Sequence, residues 1–374
     1  MIGAVICSNF GEREVLGVPV ALRAALSLQA AGVERIVVIS DTDPSWLRDD
    51  RLRLPVERAS KWPAGGALVV GDGVVCDAKA LRTVASVEGE ARVHEGLEVV
   101  LARTDREGAS LDAIGRGPER TPHGVVMFAR TGDEASRAEN ALIASLRKPQ
   151  DGWVSRAINR RISLALTRKL VRTKLRPNEV SAAIMVLGVL SGLIAAFFAP
   201  VGLVIGAVLF QLQSVLDGCD GELSRLTFRG SRAGEWLDTV GDDLTNYSFF
   251  AGAALGLRAL GAPAALWGAG LAGVAIGIVA SAIEYRYLVS IGSGDLLKYP
   301  LGFGEHDAGA REDETLSSRL LGAFRPLFKR DFFAFATMIA ALVGPSALGV
   351  ALVLFAIGAA ATLSAVIASE LRRR

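Results

Sequence analysis

Asp217, Asp220, Asp238 and Asp242 lie in the run LDGCDGELSRLTFRGSRAGEWLDTVGDD, where one membrane-length apolar segment ends and the next begins. A carboxylate at the centre of a membrane helix costs about 2.5–3.5 kcal/mol, and less near the interface. Four together also repel one another, so a chain that keeps them offsets their charge with a cation. The spacing suits this. Asp217 and Asp220 are three apart and Asp238 and Asp242 are four apart, so on helices each pair shares a face about one turn apart. Two packed helices can then converge four hard oxygen ligands, a set suited to Mg2+, Mn2+ or Ca2+ rather than zinc. Gly221 and Gly234 leave room for close approach, and Arg225 supplies a guanidinium of the kind that pairs with phosphate. Carboxylates, a divalent metal, a glycine and an arginine together point to phosphoryl chemistry.

The pattern D-x2-D-G-x2-A-R-x8-G-x3-D-x3-D is the signature of the CDP-alcohol phosphotransferases. This chain resembles that family at Asp217, Asp220, Gly221, Ser224, Arg225, Gly234, Asp238 and Asp242, with every spacing kept and Ser224 in place of the usual alanine. The resemblance implies transfer of a substituted phosphoryl group from a CDP-alcohol donor to a polar alcohol acceptor, with release of CMP. It implies two ions of Mg2+ or Mn2+, with Asp217, Asp220 and Asp238 as principal ligands. Asp242 would accept the acceptor hydroxyl's proton and share a metal. Gly221, Arg225, Gly234 and, by the entry-helix likeness of RPNEVS, Asn178 would hold the cytidine diphosphate. A lipid donor, CDP-diacylglycerol, is the alternative to a soluble CDP-polyol, because the motif reads only the CDP. A cation-transport site and a non-catalytic scaffold that kept the motif are the non-enzymatic readings, and the arginine and glycines at family spacing disfavour both.

Positioning such a site requires a membrane bundle. The chain has 374 residues, 51% of them hydrophobic, and the apolar runs concentrate after Val180. Six spans are expected, at about 180–199, 202–219, 236–257, 263–285, 331–344 and 346–368, the fifth short for a bilayer. Lys and Arg crowd the segments before the first span, between the second and third, between the fourth and fifth, and at the chain end. The positive-inside rule then places both termini and the aspartates on the cytoplasmic side of the cell's inner membrane. No cleavable signal peptide is evident, and no nucleic-acid partner is expected. A homodimer accords with the family, although glycine-rich spans can equally pack within one chain. Cys7, Cys76 and Cys219 form no CxxC pair and read as structural thiols.

Residues 1–140 read as a soluble α/β domain. Met1–Cys7, Arg35–Ser40 and Ala67–Val70 have the character of buried strands, and PVALRAALSLQAAG that of a helix stopped by Gly32. The segment resembles the sugar-phosphate nucleotidyltransferases, with LVVGDGVVCD like their metal-aspartate strand at Asp72. It departs from them in its first loop, Ser8 to Arg13, which has too few glycines to wrap a triphosphate, and in Val18, where that family has lysine before the proline. The domain is therefore expected to be degenerate, binding or scaffolding rather than catalytic. The whole arrangement resembles the bifunctional inositol-1-phosphate cytidylyltransferase/di-myo-inositol phosphate phosphate synthases, which implies an inositol-phosphate-type acceptor.

Residues 141–178 join this domain to the membrane domain at 179–374. Trp153, Ile158, Ile162, Leu166 and Leu170 make an apolar stripe among arginines, the pattern of a helix lying in the membrane interface; a plain basic linker is the alternative. The stretch from Tyr287 to Lys329, with GEHDAGAREDET, reads as a solvated loop. Of Glu284, Arg286, Lys329, Arg330 and Asp331, which meet the cytoplasm between the fourth and fifth spans, Arg286 and Lys329 are candidates to bind an anionic acceptor group. Snorkelling to the interface explains any one of these residues equally.

Overall fold

A computed structural model describes all residues except 88, 112–117, 148–150, 301–329 and 374. The expected loop from residue 301 onward and Lys329 lie outside the described residues. The chain divides into two compact units. One holds Met1–Lys148 with Val171–Thr173 and Arg225–Arg229; the other holds Pro149–Leu170, Lys174–Ser224 and Gly230–Arg374.

The first unit is a mixed α/β fold. Its strands are β1 (Ile2–Ile6), β2 (Glu14–Val15), β3 (Val18–Pro19), β4 (Arg35–Ile39), β5 (Val56–Ala59), β6 (Ala67–Val70), β7 (Val74–Cys76), β8 (Ala91–Glu95), β9 (Glu98–Thr104) and β10 (Val126–Phe128). The main sheet has the order β5-β4-β1-β6-β9-β8. Its first four strands are parallel, and β9 and β8 close it antiparallel. Continuous apolar runs such as RIVVI and ALVV suit strands covered on both faces. Helix α1 (Val20–Ala31) makes the crossover from β1 to β4, with nine buried residues, and stops at Gly32, whose φ of 97° favours glycine. Helices α2 (Ala78–Ala85) and α3 (Gly132–Ser145) begin at Asp77 and Thr131, whose side chains cap backbone amides.

The loop after β1 folds onto the turn after β6. Asp72 accepts hydrogen bonds from Ser8 N (3.1 Å), Ser8 Oγ (2.5 Å) and Asn9 N (3.1 Å). Backbone amides that would face a phosphate in a glycine-rich loop are here given to the protein's own carboxylate. Cys7, Cys76 and Cys219 are free and buried. Burial, reinforced by Asp72 and Glu12, pushes the Cys7 thiol up to about 11, so it is protonated and inert at neutral pH.

The second unit is all helical. A π-helical turn at Ser155–Asn159 leads into α4 (Arg160–Leu170). There follow α5 (Pro177–Phe197), α6 (Val201–Leu216), α7 (Gly218–Thr227, its last residues counted with the first unit), α8 (Arg232–Ala259), α9 (Ala264–Ser290), α10 (Arg330–Val343) and α11 (Pro345–Arg373). Helix α5 packs on α8 through small residues. A Cβ at Gly192 would strike the carbonyl of Ser248, and one at Gly252 would strike the carbonyl of Gly192. Such contact between backbones brings membrane helices close enough for dispersion and polar contacts to hold them.

The expectation of six spans is overturned. Among the described residues, four helices are long and apolar enough to cross a membrane: Pro177–Phe197, Val201–Thr227, Ala264–Ser290 and Pro345–Arg373. The reason lies in charge and length. Helix α8 carries Glu235, Asp238, Asp242 and Asp243 in its first half. Its uncharged stretch from Leu244 to Leu257 covers about 20 Å at ~1.5 Å per residue, against a hydrocarbon core of ~30 Å. Helix α10 has 14 residues and meets the same limit. The protein is a multi-pass membrane protein with this four-helix signature.

Candidate active site

Asp217 occupies the joint between α6 and α7, where its backbone N–H still donates to Gln213 O (2.9 Å). Asp238 and Asp242 share one face of α8, a helix opened by Ser231, whose Oγ accepts from Gly234 N (3.0 Å). The close α5–α8 packing brings that face toward Asp217. One carboxylate oxygen from each of Asp217, Asp238 and Asp242 lies within 4.8 Å of the others. An ion bound at 2.0–2.6 Å sets opposed oxygens about 4–5 Å apart, so these hard donors fit a divalent cation such as Mg2+, Mn2+ or Ca2+.

The fourth aspartate stands apart from this trio. Asp220 is 8% exposed. Its carboxylate accepts from Ser181 Oγ on α5 and from Gly221 N (2.6 Å). It nevertheless lines a small pocket with Asp217, Asp238 and Asp242. Asp243, one residue beyond Asp242, faces α9, where Ser281 Oγ (2.5 Å) and Tyr285 OH (2.6 Å) donate to it.

The nucleotide-binding candidates are partly assembled. A Cβ on Gly234 would lie 2.9 Å from Asn178 Oδ1, so the glycine and the asparagine at the start of α5 face one another. Gly221 and Arg225 follow Asp220 on α7. Of the acceptor candidates, Arg286 pairs with Glu370 at 3.6 Å, away from the cluster, and Lys329 is outside the described residues.

Two features escaped the sequence. The first is Arg330, at the start of α10. Its Nη1 donates to Asp217 Oδ2 (2.9 Å) and Asp242 Oδ1 (2.5 Å), and its Nη2 to Gln213 Oε1 (2.9 Å). An arginine at a helix start beside the membrane looks like any interfacial cation, and no local spacing ties it to the aspartates.

The second is the inward face of the π-turn and α4. Of the expected apolar stripe, Trp153 (68%) and Ile162 (47%) are exposed, and Ile158, Leu166 and Leu170 are half-buried. The buried side holds Leu164 beside Asn159, Ser163 and Thr167, a polar stripe at four-residue spacing that the sequence did offer. Glu222 of α7, fully buried, accepts from Arg160 Nη1 (2.6 Å), Ser163 Oγ (2.8 Å) and Thr167 Oγ1 (2.7 Å). Replacing it leaves two buried hydroxyls without their acceptor, while the Arg160 guanidinium keeps its paired bonds to Asp151 (3.0 Å each). Glu222→Ala is expected to destabilise the helical unit by about 2–4 kcal/mol through the unpaired hydroxyls, read as a lowered thermal midpoint in detergent, with a smaller loss for Glu222→Gln.

A cavity of about 360 Å³ adjoins the cluster, bounded by Asn159, Arg160, Ser163, Asp217, Asp242 and Arg330 among others. Its wall is rich in hydroxyl, amide and charged groups, suited to a hydroxylated ligand.

Comparison with known proteins gives this site a family. Residues 174–302 match the CDP-alcohol phosphatidyltransferase family model. The chain is 30% identical over 230 residues to the bifunctional IPC transferase and DIPP synthase of Thermococcus kodakarensis, covering 59% of this chain and 50% of that protein. It is 33% identical over 133 residues to the protein of the same name from Aquifex aeolicus, covering 35% and 30%. The chain thus spans half or less of the length of these curated relatives. Among solved structures it is similar to the Mycobacterium tuberculosis phosphatidylinositol phosphate synthase with CDP-DAG bound, at 22% identity and a TM-score of 0.40, over 55% of this chain and 90% of that one. The stretch that matches the CDP-alcohol phosphatidyltransferase family model holds all four motif aspartates.

Proposed function

We propose that this chain is a membrane-embedded transferase that moves a substituted phosphoryl group from a CDP-alcohol to an acceptor alcohol and releases CMP. The observation that carries the reading is the convergence of Asp217, Asp238 and Asp242 within 4.8 Å, from a motif whose eight positions all keep family spacing. Asp217, Asp220, Asp238 and Asp242 hold two divalent cations, Mg2+ or Mn2+, whose charge offsets that of the donor pyrophosphate and of the leaving CMP. Gly221, Arg225, Gly234 and Asn178 hold the cytidine diphosphate. Asp242 takes the proton from the acceptor hydroxyl. The acceptor, an inositol-phosphate-type alcohol, enters the polar cavity beside Asp242. The N-terminal α/β unit scaffolds rather than synthesises the donor, since Asp72 is engaged by Ser8 and Asn9. The site and both termini face the cytoplasm.

The test is CMP release by the full chain in proteoliposomes, with a panel of CDP-alcohols and acceptors. Release is expected to require a CDP-alcohol, a polyol acceptor and Mg2+ or Mn2+, and to stop in excess chelator. Turnover with CDP-diacylglycerol alone among the donors would make the protein a phospholipid synthase. Full activity in chelator, or no release from any donor, would overturn the proposal.

A further inference from the structure

Arg330 has a more elaborate setting than a surface ion pair. A guanidinium carries five N–H donors in a fixed fork. Here there is an acceptor for each: Asp217 Oδ2 (2.9 Å) and Asp242 Oδ1 (2.5 Å) for Nη1, Gln213 Oε1 (2.9 Å) and Thr245 Oγ1 (3.4 Å) for Nη2, and Asn246 Oδ1 (3.4 Å) for Nε. The acceptors come from the end of α6, the joint after it, and one face of α8. The three neutral ones are not ligands in the family motif. They shape a socket around the guanidinium, and the socket shares two walls with the dication site.

The sharing has a consequence. Asp217 and Asp242 supply two of the three carboxylates that close on a divalent ion. An Nη1 bonded to both occupies oxygens that such an ion would need. Two cationic centres cannot use the same oxygens at once, and at this separation they repel.

We propose that Arg330 is a built-in counter-cation that exchanges with the divalent ion. It holds Asp217 and Asp242 together against their mutual repulsion, and it must withdraw from both before they ligate a dication. The adjoining cavity of about 360 Å³, which Arg330 also lines, gives the displaced side chain somewhere to go. Arg330 thereby weakens dication binding while holding Asp217 and Asp242 in place. The inference rests on the metal-site reading above.

The test is Mn2+ binding to the full chain in detergent, by calorimetry or by loss of the free-ion electron paramagnetic resonance signal. Thermal midpoints are measured in parallel, in chelator and in Mn2+. Removing the competitor is expected to tighten Mn2+ binding about ten-fold or more in Arg330→Gln, within the usual range of coupling between sites. In chelator the same variant is expected to melt lower than wild type, and to gain more from Mn2+. Arg330→Lys keeps the charge without the fork and is expected to fall between; it decides the matter if the glutamine variant does not fold. Mn2+ affinity that is unchanged or weaker in folded variants, with wild type binding normally, overturns the exchange and leaves the metal site standing. Absence of Mn2+ binding by wild type overturns both.

Discussion

Asp242→Asn is expected to lower CMP release by about 10³-fold, the middle of the range that a positioned general base contributes, while the CDP-alcohol still binds. The side-chain amide keeps the shape of the carboxylate, yet it neither takes a proton nor carries charge. Asp242 lines the polar cavity together with Asp217 and Arg330, so it faces the volume assigned to the acceptor hydroxyl. Single-turnover CMP release, set beside equilibrium binding of a non-reactive CDP-alcohol, separates the roles. If donor binding falls in step with turnover, Asp242 acts through the donor rather than on the acceptor. Near-normal turnover would remove it from the chemistry. The comparison with Asp243→Asn is informative, because Asp243 bonds Ser281 and Tyr285 on α9 and lies outside the cluster. That variant is expected to lose stability rather than the chemical step.

The second large effect is steric. Gly252→Val is expected to disrupt the helical unit, with a loss of at least about 3 kcal/mol, at or beyond the usual limit for overpacking. The side chain would enter the backbone of Gly192, an obstacle that cannot rotate away as a side-chain tip can. Separating α5 from α8 also displaces the face that carries Asp238 and Asp242. Mn2+ binding should therefore vanish with the loss of a monodisperse, cooperatively melting species. Gly268→Ala on α9 is the control, since a Cβ there meets nothing within 4 Å. A Gly252→Val protein with wild-type melting and Mn2+ affinity would show that the α5–α8 contact does not set the site.

The site was legible where its chemistry demands local spacing. Carboxylates three and four residues apart must share a helix face, and Asp238 and Asp242 do. Asp217 could be read because the motif fixes its distance along the chain from the others. Asp220 shows the limit of spacing, for its place on the helix turns it toward Ser181 and its carboxylate toward its own neighbour's amide. Arg330 was illegible, lying 88 residues beyond Asp242, so the contact depends on tertiary packing alone. In the fold, strands and α1 followed from apolar runs and a terminal glycine. The span count differs because the acidic first half of α8 leaves too short an apolar run, and because α10 is too short. The orientation of α4 was open to a closer reading, for its polar stripe of Asn159, Ser163 and Thr167 was as regular as its apolar one.

That orientation makes α4 a mechanical link. One side of the helix leaves Ile162 exposed, while the other grips Glu222, two residues from Asp220. A force on the outer side is delivered through a single buried carboxylate to α7, the helix that bears Asp220. With α4 placed in the membrane interface as proposed from its apolar stripe, turnover in proteoliposomes is expected to vary with bilayer composition even for a donor and an acceptor that are both water-soluble.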